Sequence, residues 1–230
     1  MVQLSELRIR LDQMTERIVS RLKDRSRFPL NSPVYQPGAV PVSGRTGISF
    51  LEFSLEGIEA YHASLGRYSY PGEYPIFSAR LPEPQVARTV RMPTLPPFQI
   101  AIKDDLFAFY LGILPQLCQP GEDPDTYGET VYVDADLMEL LHERINVGRY
   151  IAQAKLDADP TLRHLAQDVQ ALAARLRDPE REQALLGSAQ AAAERYQGSP
   201  AMVERVFRWI MEETVVVEVS YVRGLAGSEE

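Results

Sequence analysis

The chain has 230 residues, of which 45% are hydrophobic and 24% charged, with a formal net charge of -8. That length suits one large or two small globular domains, and the acidity argues against non-specific nucleic-acid binding, which needs a basic surface. A single cysteine, Cys118, excludes an internal disulfide or a cysteine-based metal site, and His62, His142 and His164 show no metal-binding spacing.

In chain order, Leu4, Leu7, Leu11, Met14, Ile18 and Leu22 form one apolar stripe, which predicts a helix over about 3–26. The N-terminal "MVQLSELRIRLDQM" carries helical periodicity and charge, unlike a secretory leader, and no apolar run is long enough to span a bilayer. A cytoplasmic protein with no membrane or nucleic-acid partner is expected. The Pro/Gly-rich "FPLNSPVYQPGAVPVSGRTG" reads as a loop, and "SFLEFSLEGIEAYHASLGRY" as a second helix. Pro71 to Pro97 reads as irregular structure with at most a short helical turn. "IAIKDDLFAFYLGILPQL" is a third helix, ended by Pro120 and Gly121. Further helices are predicted over about Asp134–Ala158, Pro160–Leu176, Asp178–Gln197 and Ser199–Arg223. In the last, "TVVVEVSYV" is β-branched and by propensity suits a strand. Val203, Val206, Phe207, Ile210, Thr214, Val217 and Tyr221 nevertheless keep helical spacing. No βα alternation or tandem repeat occurs. The expected class is all-α, a single-domain bundle over 1–230 with long Pro/Gly-rich loops. Cys118 reads as a spectator thiol.

Three predicted helices place charge on their apolar faces. With Leu137 at zero on a helical wheel, Leu140, Leu141, Gly148 and Ile151 lie within about 60°. Arg144 falls about 20° away and Lys155 returns almost to zero. Glu139, Glu143, Asn146, Arg149 and Gln153 fall on the opposite, nominally solvent side. Arg8 lies within the apolar range of the first helix, and Thr214 and Glu218 share the face of Phe207 and Ile210. Snorkelling of the long stems is one explanation. Internal ion pairing is another, but Glu218 can neutralise only one of three cations. A buried charge must be paired or neutralised, so the surplus favours an anionic ligand with more than one acidic group. In "RDPEREQALL", Asp178 before Pro179 is a good N-cap, and Glu180 and Glu182 suit the positive helix end. Asp178, Arg181 and Glu182 also share one helix face, where they could meet a ligand.

Taken together, "LRIRLDQMTERIVSRLKDRSRFPLNSPVY", "RYSYPGEYPIF", "HERINVGRYIAQAK", "RDPEREQALL" and "ETVVVEVSYV" resemble, in order and spacing, the all-helical chorismate mutases of the larger yeast- and plant-type branch. The resemblance implies a chorismate mutase II-like helical fold, rearrangement of chorismate to prephenate without cofactor, and a homodimer. By position it implies that Arg8 and Arg144 bind the substrate carboxylates. Lys155 then donates to the ether oxygen and a carboxylate, Glu182 holds the ring hydroxyl, Asp178 orients the substrate and Thr214 lines the pocket. Arg181 matches a position that is Arg in the short bacterial branch. Glu218 matches Glu in the yeast type, where only its protonated form suits the ether oxygen. The branch's effector site for tyrosine and tryptophan maps to Arg67, Gly128, Glu129 and Tyr132. Glu129 puts negative charge where an amino-acid carboxylate would bind, which argues against fungal-style control. The same cations would suit an isochorismate pyruvate-lyase or an aminodeoxychorismate mutase. A non-catalytic helical dimer that senses an aromatic metabolite is the third reading.

Overall fold

The computed structural model describes residues 4–69 (side chains from residue 7), 73–77, 81–89, 94–96 and 102–227. Eight α-helices follow one another among them: α1 (Leu4–Arg25), α2 (Phe50–Ser64), α3 (Lys103–Leu117), α4 (Tyr127–Asn146), α5 (Gly148–Ala158), α6 (Val169–Leu176), α7 (Pro179–Arg195) and α8 (Pro200–Ala226). Short 3-10 turns lie at Ser32–Tyr35, Arg67–Ser69, Pro124–Thr126 and Pro160–Leu165. Among the described residues there are isolated β-bridges and no strand, so the all-α class holds.

The helix starts follow cap chemistry. Ser49 and Glu52 form a reciprocal capping box at α2. Asp178 accepts from the Arg181 N–H at 3.1 Å with Pro179 in the first turn of α7, and Ser199 caps α8 in front of Pro200. The helix expected over Pro160–Leu176 is in fact two pieces, a 3-10 turn and α6. Asp168 accepts from the Ala171 N–H at 3.0 Å and starts a new helix inside the expected one. The helix expected from Asp134 begins earlier, at Tyr127, after a 3-10 turn capped by Asp123.

The expected central helix is also divided, by one residue, at Val147. Gly148 follows, and there a Cβ would lie 3.1 Å from both the carbonyl oxygen and the Cγ2 of Thr214 on α8. A side chain here would need the facing helix to give by a few tenths of an ångström, and glycine loosens a helix interior. Of the stretch Pro71–Pro97, the described parts (73–77, 81–89 and 94–96) contain no helix, and the rest lies outside the described residues. No described helix is long and apolar enough to cross a membrane.

Three clusters of buried side chains make the core. The largest joins α1, α2, α3, α4, α7 and α8 through residues such as Ile18, Leu55, Leu106, Leu141, Ala189 and Phe207. A second packs Ala152 and Leu156 of α5 and Leu172 and Leu176 of α6 against Val215, Val219 and Val222 of α8. The β-branched run of α8 is therefore helical because its valines fill this cluster, and tertiary packing overrides strand propensity. The third cluster sets Leu7, Leu11 and Met14 of α1 on Val147, Tyr150 and Ala154. Cys118 is buried and unbridged, and burial pushes its thiol up to about 11, away from nucleophilic use at neutral pH.

One side of the central helices corrects the sequence reading. Glu139, Asn146 and Arg149 are buried rather than solvent-facing. α1, α2 and the 73–77 segment cover this side too, so its polar groups pair inside the protein. Asn146 donates to the His142 carbonyl at 2.9 Å, the Arg149 guanidinium stacks 4.1 Å over the Tyr74 ring, and Gln153 accepts from Tyr221 Oη at 2.6 Å. Glu143 is engaged by Arg10 and Arg67.

Candidate active site

The three clusters leave a cavity of about 160 Å³ where they meet. Leu7 and Leu11 come to its wall from the third cluster, Leu176 and Val215 from the second, and Leu185 from the first. Every residue expected to touch a substrate lines it: Arg8, Arg144, Lys155, Asp178, Arg181, Glu182, Thr214 and Glu218. Ile151, read from the sequence only as part of an apolar stripe, and Met211, which carried no sequence signal, complete the apolar part of the wall.

The polar groups reach the cavity by different routes. Arg144, near the end of α4, is 5% exposed and its Nε has no hydrogen-bond partner. Burial pulls its guanidinium down to about 10, with the nearby Arg181 charge acting in the same direction and Asp12 and Glu218 opposing it. Arg144 therefore remains a cation at neutral pH without snorkelling to water. Arg8 differs from expectation, because it is exposed and sits at the lip of the cavity rather than on a buried face. Its neighbours Leu7 and Leu11 make the buried edge of α1.

Lys155 Nζ donates to Glu218 Oε2 at 2.7 Å and to the carbonyl of Leu176 at the end of α6. One internal ion pair does form, as the pairing explanation requires, and it accounts for one cation only. Glu218 is 3% exposed. Burial lifts its carboxyl to about 7 although the Lys155 charge and hydrogen bond pull it down. Thr214 Oγ1 donates back to the Ile210 carbonyl at 2.6 Å, leaving its methyl beside Gly148. On α7, Arg181 pairs with Asp12 of α1 at 3.1 Å, and Arg177 reaches Glu182 at 3.4 Å. Asp178 spends one carboxylate oxygen on its cap and still faces the cavity.

The residues expected to hold an effector are not gathered into one pocket within the chain. Arg67 is engaged by Glu143 at 2.7 Å. Glu129 lies fourteen residues earlier in the same helix, about 21 Å away along its axis at 1.5 Å per residue. Repulsion between Glu129 and a carboxylate bound at Arg67 therefore has no basis inside a single chain. Tyr132 is exposed on the outer side of α4.

The lining groups are four cations (Arg8, Arg144, Lys155, Arg181) and three acids (Asp178, Glu182, Glu218), and burial favours the neutral form of the last. Fold and cavity together define a helical protein whose buried, cation-rich cavity faces a protonatable carboxyl.

Comparison with known proteins narrows this class. Residues 127–219 match the family model for chorismate mutase type II. The chorismate mutase of Schizosaccharomyces pombe is 30% identical over 192 residues, covering 80% of this chain and 76% of that protein. The chloroplastic chorismate mutase 1 of Arabidopsis thaliana is 32% identical over 197 residues, covering 79% of this chain and 55% of that one. Among solved structures, AtCM1 with tyrosine bound in its allosteric site superposes with a TM-score of 0.85 at 30% identity, covering 96% of each chain. The Aro7p chorismate mutase of Candida albicans, in complex with L-Trp, gives 0.85 at 26% identity, covering 96% of this chain and 91% of that one. The chain belongs to the chorismate mutase family, isomerases that convert chorismate to prephenate in phenylalanine and tyrosine biosynthesis.

Proposed function

We propose that the cavity rearranges chorismate to prephenate by a concerted pericyclic shift, in which the ether C–O bond breaks as a C–C bond forms and no group leaves. The observation that carries this reading is the convergence of Arg8, Arg144, Lys155 and Glu218 on one cavity. Such a reaction needs no nucleophile and no cofactor. It needs the reactive conformer held fast and the charge developing on the ether oxygen met by donors already in place. Arg8 and Arg144 grip the two carboxylates. Lys155 and protonated Glu218 donate to the ether oxygen, and Lys155 also reaches a carboxylate. Glu182, held by Arg177, takes the ring hydroxyl. Asp178, Arg181 and Thr214 orient the bound dianion.

Glu218 sets the pH dependence. Burial pushes its carboxyl up to about 7. Below that pH it is neutral and can donate, and above it the carboxylate opposes charge building on the ether oxygen. A bound dianion raises the value further. The kcat/KM for chorismate is therefore expected to fall about tenfold per pH unit on the alkaline side. Glu218→Gln keeps a donor at every pH and flattens the profile. The assay follows loss of chorismate absorbance with chromatographic identification of the product. A wild-type rate that stays level from pH 5 to 9 would count against this role, and pyruvate release in place of prephenate would count against the mutase reading.

The molecule works as a homodimer in the cytoplasm. Phe53 and Tyr61 of α2, Leu65 just after it and Tyr132 of α4 are large exposed apolar side chains on or beside two packed helices, which supports a second copy seated there. Sedimentation is expected to give twice the 25.9 kDa chain mass, and a single-chain mass would sink the dimer. The amino acids bound to the solved relatives are candidate ligands of such an assembly.

A further inference from the structure

Glu143 and Arg144 are neighbours on α4, about 100° apart around the helix. Arg144 lines the cavity, whereas Glu143 points to the covered second side of the central helices. There Glu143 Oε1 accepts from Arg10 Nη2 at 2.5 Å and Oε2 from Arg67 Nη2 at 2.7 Å. Glu73 joins the same pair of arginines, at 3.2 Å from each. Burial raises the Glu143 carboxyl, but hydrogen bonds and charge from Arg10 and Arg67 more than offset this and hold it below the usual range.

Arg10 sits two residues after Arg8, about 200° around α1, so the two arginines leave the helix on nearly opposite sides. One is at the cavity lip and the other is clamped to α4. Further along α1, Asp12 pairs with Arg181, Arg21 with Asp136 and buried Arg25 with Asp134, which fix the body of the helix. At its first turns Leu7 and Leu11 make non-directional apolar contacts, and Arg10 supplies the directional charged bonds to α4 next to Arg8, which set the angle of this end. Any turn of α1 that loosens Arg10 swings exposed Arg8 relative to buried Arg144.

We propose that Glu143 is a positioning residue for the reaction, setting through Arg10 the angle at which Arg8 meets the substrate. This rests on the proposed role of Arg8 in gripping a carboxylate. The experiment is a double-mutant cycle on chorismate turnover. Glu143→Gln is expected to raise KM about fivefold to tenfold while kcat changes much less, and the effect vanishes in an Arg8→Ala background. Arg10→Met repeats the cycle from the other partner should Glu143→Gln fold poorly. A merely structural Glu143 would give the same factor with or without Arg8, which would overturn the proposal. So would an unchanged KM in Glu143→Gln when Arg8→Ala is impaired. An Arg8→Ala enzyme with normal KM would overturn both the role of Arg8 and the positioning built on it.

Discussion

Lys155→Ala is expected to lower kcat by about a hundredfold to a thousandfold, the loss typical of removing one preorganised donor to developing oxyanion charge. Nζ is held in place before substrate arrives, by the Leu176 carbonyl and the Glu218 carboxylate. Glu218, the other donor proposed at the ether oxygen, carries no positive charge to replace it, and the alanine leaves a gap between α5 and the end of α6. A second consequence separates this effect from simple loss of binding. Lys155 is the main charge that pulls the Glu218 carboxyl down against burial. Without it Glu218 stays protonated to higher pH, so the residual activity should hold its level further into the alkaline range than that of the wild type. Rates measured at several pH values for both proteins test the pair of effects. A mutant with a normal kcat, or one whose residual profile turns down at lower pH, contradicts the assignment.

Asp134→Ala is expected to cost about 3–5 kcal/mol of stability, the usual price of breaking a buried ion pair from one side. Asp134 and Arg25 are both fully buried, with Arg25 Nε 2.6 Å from Asp134 Oδ1. Tyr110 Oη donates to Oδ1 at 2.5 Å and Tyr35 Oη to Oδ2 at 2.7 Å. Arg25 also donates to the carbonyls of Phe28, Pro29 and Leu30, at 3.2, 3.0 and 3.0 Å. One guanidinium thus ends α1, folds the following loop over itself and fastens both to α4. Removing the carboxylate leaves that cation buried without its counter-charge. At about 2–4 °C per kcal/mol for a chain of this size, the melting temperature should fall by roughly 6–20 °C. Asp134→Leu combined with Arg25→Met should recover only part of the loss, because it removes the unpaired charge but leaves the Phe28, Pro29 and Leu30 carbonyls and the Tyr35 and Tyr110 hydroxyls without these partners. Calorimetry on both variants decides it, and a single mutant that melts within 2 °C of wild type would show that the network contributes little.

The contrast between Lys155 and Glu143 explains what could be read from sequence. Arg144, Lys155, Thr214 and Glu218 were legible because each breaks a periodic apolar stripe, and a stripe declares its inward side without reference to any other helix. The helical state of "TVVVEVSYV" was legible for the same reason. Glu143 and Asp134 were not. Their partners lie 133 and 109 residues away in the chain, and a charge on the less apolar side of a helix looks like a solvated charge until another helix covers it. The divisions at Val147 and at 166–168 also depend on local detail, one on a close helix crossing and the other on an aspartate cap. Arg8 was over-read, because angular position near an apolar stripe does not distinguish the middle of a buried face from its edge.

The cavity also bears on how the chain acquires its activity. Its walls come from α1, α4, α5, α6, α7 and α8, and Arg8 and Glu218 are separated by 210 positions of a 230-residue chain. Contacts between such distant segments carry a large loop-closure cost and slow folding. Turnover should therefore return only with the last phase of refolding, well after helix content recovers. A dianion held at once by α1, α7 and α8 works like a removable cross-link, so ligand should protect the ends of the chain from opening as effectively as its centre.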